Sequence, residues 1–103
     1  MSNPYTIAAA DKQGTMEVKF GGNLIINHIE KIYEEMQELI TPEQPVTFII
    51  DNPNNLDITF VQMVIAVKHL WKAKGKEFHV KTELKDDLKQ LMAKAGLESE
   101  LNY

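Results

Sequence analysis

The 103-residue chain has no cysteine, which excludes disulfides, thiol chemistry and thiolate metal sites and accords with a reducing compartment. Serine occurs only at Ser2 and Ser99, and neither stands in the strand-to-helix context of a nucleophile elbow. Positive charge is in deficit, 11 Lys and Arg against 15 Asp and Glu for a net charge of -4. No basic field is available to collect nucleic acid or anionic lipid. No apolar run approaches the roughly 20 residues that span a bilayer, and Met1-Ser2-Asn3-Pro4-Tyr5 lacks the charged-then-apolar order of a signal. A cytoplasmic protein without membrane insertion is therefore expected. His28, His69 and His79 lack a ligand spacing such as i, i+4, and the acidic residues form no evident acid–base pair. No catalytic residue, metal site or cofactor is assigned.

What is present is an ordinary globular composition, 44% hydrophobic and 25% charged, in a length suited to one domain, residues 1–103. Tyr5 to Ala10 can form a strand ending at the turn Asp11-Lys12-Gln13-Gly14. Thr15 to Phe20 alternates, with Met16, Val18 and Phe20 on one face, so an antiparallel hairpin is expected. Gly21-Gly22-Asn23 reads as a strand break, and Leu24-Ile25-Ile26 as a short buried strand. Asn27 is placed as the N-cap of a first helix, with Glu30 completing a capping-box-like pair. Ile29, Ile32, Met36, Leu39 and Ile40 share one face of that helix. Glu30, Glu34, Glu35 and Glu38 take the other, and Thr41 to Pro45 stops it.

Val46 to Ile50 is nearly continuous apolar, as in a central strand covered on both faces. Asp51 to Asn55 is a loop, a second helix is read from about Phe60 to Ala73, and Glu77 to Val80 is a strand. Strand, helix and strand at this spacing form a βαβ unit with parallel strands. Thr82 is read as the cap of a third helix whose stripe is Leu84, Leu88, Leu91 and Ala95, closed by Gly96 and Leu97 in a Schellman arrangement. The fold class is α/β, a mixed sheet of four to five strands with three to four helices in a sandwich.

The segment Leu56-Asp57-Ile58-Thr59-Phe60-Val61-Gln62-Met63, preceded by an Asn-rich loop and followed by an apolar helix closing at Lys74-Gly75-Lys76, resembles the STAS family (sulfate transporter and anti-sigma factor antagonist domains). The likeness covers roughly Met16 to Leu97. In that family the matching turn typically reads Asp-Ser/Thr-Ser/Thr-Gly-Leu. The resemblance implies a non-enzymatic signalling protein whose partner is a kinase, an anti-sigma factor or a chemotaxis or two-component protein. That partner would bind at the loop and the start of the second helix and be switched by phosphorylation after the aspartate. Carried over, Asp57 matches the family aspartate and Thr59 is the phospho-acceptor candidate. Ile58, Phe60, Val61, Gln62 and Met63 complete the partner-binding set. The sequence departs from the pattern at Ile58, which stands directly after Asp57, and at Phe60, which replaces the usual glycine. Some relatives imply an alternative, a regulatory or nucleotide-binding subunit of a transport complex.

The residues themselves leave Thr59 with a second reading. Thr59-x-x-Gln62 is also a capping box, with Ile58 and Met63 as its hydrophobic staple. The first two turns of the second helix are apolar almost all round, so part of that surface is expected to be exposed for docking or covered by a neighbouring helix. Lys68, Lys72, Lys74 and Lys76 read as a solvated face near the helix end.

Overall fold

A computed structural model describes residues 3–41 and 43–94. The element order is β1 (Tyr5–Lys12), β2 (Thr15–Leu24), a 3-10 turn (Ile26–His28), α1 (Ile29–Leu39), β3 (Val46–Asp51), β4 (Asn55–Leu56), α2 (Ile58–Ala73), β5 (Phe78–Glu83) and α3 (Asp86–Lys94). The strands form a five-stranded mixed sheet in the order β1-β2-β3-β5, with β4 paired to the end of β2. The α/β class is as expected. β1 and β2 are antiparallel, whereas β2 with β3 and β3 with β5 are parallel. The two connections through α1 and α2 step in the same direction along the sheet, and right-handed crossovers then place both helices on one face.

Alternation decides which residues line that face. Val18 lies beside Phe48 and Phe48 beside Val80, and all three are buried. The four phenylalanines of the chain stack edge to face within this layer. Ring centroids are 5.0 Å apart for Phe20–Phe48, 5.2 Å for Phe20–Phe60 and 5.0 Å for Phe48–Phe78. Such pairs add about 0.5–1.5 kcal/mol each beyond their buried area. Ile32 and Met36 of α1, at helical spacing, and Ile40 just past its end close the layer. On the opposite face Lys19, Ile49 and Lys81 lie in one register row. Both lysines are exposed and Ile49 only half-buried, so β3 is not covered on both sides as its apolar run implies.

Four local expectations are corrected. Gly21-Gly22-Asn23 does not end β2, which continues to Leu24. Instead Gly22 adopts φ +81°, and a Cβ there would lie 2.7 Å from Pro4 O and 2.8 Å from Tyr5 Cα, so only glycine suits this close approach. Past it, β2 leaves β3 and pairs with β4. Ile26 belongs to the 3-10 turn rather than a buried strand and is 62% exposed. Asn27 caps nothing: the turn's backbone leads into α1, and His28 holds the N-cap position with no side-chain bond. Thr82 lies within β5 opposite Ile50 and is not a helix cap. A Schellman closure occurs at Gly75 (φ +71°) after α2, where Lys76 N–H donates to Trp71 O at 3.0 Å and Gly75 N–H to Lys72 O at 3.0 Å. Gly96 and Leu97, expected to close the third helix in the same way, lie outside the described residues, as do Ala95 and the last six residues.

Candidate functional site

The short β2–β4 ladder builds the site. Asn23 pairs with Asn55 and Leu24 with Leu56, and their side chains are joined where Asn55 Nδ2 donates to Asn23 Oδ1 at 2.8 Å. Asp57 is next in line. Its N–H donates to Leu24 O at 3.1 Å, which sets its carboxylate against the start of the 3-10 turn. Oδ2 there accepts the Ile26 N–H at 2.8 Å. Oδ1 faces the other way and accepts Thr59 N–H at 3.0 Å, the Thr59 hydroxyl, and Phe60 N–H at 3.4 Å.

Asp57 is thus the N-cap of α2, with extended backbone at φ -119° and ψ 176°. The helix starts two residues earlier than the periodicity indicates, and Thr59 is inside its first turn rather than capping it. The capping box and the Ile58–Met63 staple are therefore not formed. Leu56 and Val61 hold the staple positions instead, and both are buried. A carboxylate outcompetes a hydroxyl for the helix N–H groups because its hydrogen bonds are charge-assisted and because the helix dipole favours an anion there.

Burial pushes the Asp57 carboxyl up. The Thr59 hydroxyl and the N–H groups of Ile26, Phe60 and Thr59 outweigh that and hold it below its ordinary value. The group is an anion at neutral pH with its acceptor sites occupied.

The residues read as a docking set divide sharply. Ile58 is 50% exposed and Gln62, one turn on, is also exposed. Asp57 and Thr59 are half-buried. Phe60 is fully buried, and Val61 and Met63 join it in the core. Of the two alternatives for this apolar face, exposed for docking or covered, these three residues take the second, with Phe60 packed on Phe20 of the sheet. Ile26 was not among the sequence candidates, yet its N–H is held by the carboxylate of Asp57, the residue that precedes Ile58. Its local sequence is that of a core strand, and only the bond from a residue 31 positions away marks it.

Among the described residues no cluster of three His, Cys, Asp or Glu side chains could hold a metal. His28 lies against Tyr5 with ring centroids 5.8 Å apart, and exposed His79 lies 4.0 Å from Glu77. No described helix is long and apolar enough to cross a membrane. No protein-family model matches the chain, and no curated protein matches it closely enough to be called a relative.

Proposed function

We propose that the chain is a STAS-like, cytoplasmic signalling domain that performs no chemistry itself and binds a protein partner, of the kinase, anti-sigma or chemotaxis type, at the start of α2. The contact surface is Ile26, Ile58 and Gln62, and Thr59 is its phospho-acceptor. One observation carries this reading. The Thr59 hydroxyl is held on the same carboxylate that fixes the Ile26 N–H and the first N–H groups of α2, and both the Ile26 so held and Ile58, the chain neighbour of Asp57, are exposed.

Phosphorylation of Thr59 would remove the donor to Asp57 and add roughly -1.5 to -2 charges beside an existing anion. The two anions then compete for the Thr59 and Phe60 N–H groups. Asp57 is the weaker competitor, and its loss frees the Ile26 N–H and loosens the turn that presents Ile26. Charge repulsion and the cost of desolvating a phosphate both oppose a docked apolar partner.

Affinity capture of the tagged chain from its native cells, with mass spectrometry of bait and partners, tests this. A signalling protein recovered with the wild type should be lost with Ile58→Glu and with Thr59→Glu, and retained with Thr59→Ala. Equal recovery with Thr59→Glu and the wild type would remove the switch. Recovery of a transporter assembly with unmodified bait would favour the alternative role as a transport-complex subunit.

A further inference from the structure

Two exposed large hydrophobic residues, Tyr33 at 42% and Leu70 at 48%, lie away from the α2 start and border one groove between α1 and α2. Its floor is Met36, Ile40, Val67 and Trp71, and its volume is about 170 Å³. The groove is open to solvent on one side, and its volume is of the order that a benzene-sized group occupies, about 150 Å³, so it has room for one leucine or phenylalanine anchor. The banks differ. On α1, Glu30 and Glu34 are exposed and lie within one turn of Tyr33 and Gln37, making that bank acidic. On α2, Ala66 and Ala73 are exposed four residues before and three after Leu70, so a backbone can approach closely there. The exposed cation one turn beyond Leu70, Lys74, stands past that stretch at the helix C-cap.

We infer that this groove is a second docking site, for an amphipathic helix of a partner protein whose apolar anchor is flanked by Lys or Arg facing Glu30 and Glu34. Two parallel helices with an apolar furrow suit helix-in-groove binding, and the acidic bank selects the sign of the flank. Like charge disfavours the other occupants. A second copy brings a net charge of -4, and the chain's own last residues carry Glu98 and Glu100.

Trp71 is the only tryptophan and lines the groove, so its fluorescence reads occupancy without a label. An idealised Leu/Lys amphipathic helical peptide should shift the Trp71 emission saturably, and the same pattern built with Leu/Glu should not. Leu70→Glu should weaken the Leu/Lys peptide by more than about tenfold, equivalent to 1.4 kcal/mol. Tyr33→Ala guards against a folding defect in Leu70→Glu and should also weaken binding. Glu30→Gln with Glu34→Gln should weaken it several-fold and flatten its salt dependence. Ile58→Glu should leave it unchanged, which separates this site from the one at Asp57. A silent Trp71, equal binding of the Leu/Glu peptide, or undiminished binding to Leu70→Glu and Tyr33→Ala overturns the inference. So does a concentration-dependent emission shift without peptide, which would identify the occupant as a second copy.

Discussion

The Asp57 carboxylate accepts the Ile26 N–H at 2.8 Å and caps α2 with its other oxygen. One side chain therefore joins the turn after β2 to the helix after β4. Replacing Asp57 by alanine removes a cap, costing about 0.5–2 kcal/mol, and strips the Ile26 N–H of its acceptor. A total loss of about 1–3 kcal/mol is expected in urea unfolding, with faster amide exchange at Ile26. Unchanged protection at Ile26 would show that the bond does not hold the turn.

The same carboxylate sets a pH dependence. Its pKa in the folded chain is lowered from the ordinary 3.8, so the folded state binds this proton less readily than the unfolded state. Its contribution is fully present above that ordinary value and is lost as pH falls through the lower folded value. Acidification below about pH 4 should therefore lower the urea midpoint more for the wild type than for Asp57→Asn. Parallel losses in the two proteins would place the acid sensitivity elsewhere.

Phe60 and Ile58 are two residues apart and should behave oppositely. Phe60 is fully buried against Phe20, so Phe60→Ala should cost about 3–5 kcal/mol. Ile58→Ala, at a half-exposed position, should stay within about 0.5 kcal/mol. Thermal unfolding of both variants checks this, and a comparable loss for Ile58→Ala would contradict its placement on the surface.

Two glycines with positive φ should respond unequally to alanine. At Gly14 (φ +92°) a Cβ meets nothing within 4 Å, so only the backbone conformation is penalised, by about 1–2 kcal/mol. At Gly22 a Cβ meets the backbone of Pro4 and Tyr5, and the path of β2 toward β4 must shift. Gly22→Ala should therefore destabilise more than Gly14→Ala in urea unfolding, and the reverse order would refute the close approach.

The sequence by itself determined the parts whose physics is local. Period-two alternation in Thr15–Phe20 and the i, i+3, i+7 spacing from Ile29 to Ile40 are written in consecutive residues, because each element must bury one face. The strand–helix–strand order from Val46 to Val80 likewise implied parallel pairing, since the crossover leaves little other choice. Asp57 and Thr59 were visible as candidates. Which of them capped the helix was not, because either residue type can fill that position.

Only the tertiary structure decided the rest. Ile26 and Phe60 both stand in apolar runs, and hydrophobicity alone does not say that the first faces water while the second is buried. The answer came from the left-handed backbone at Gly22 and the β2–β4 register, which bring Ile26 and Asp57 together across 31 positions of chain. The burial of Phe60 beneath Ile58 has the same origin. A helix without a polar face has no preferred side of its own, and its orientation follows from the neighbours that pack against it.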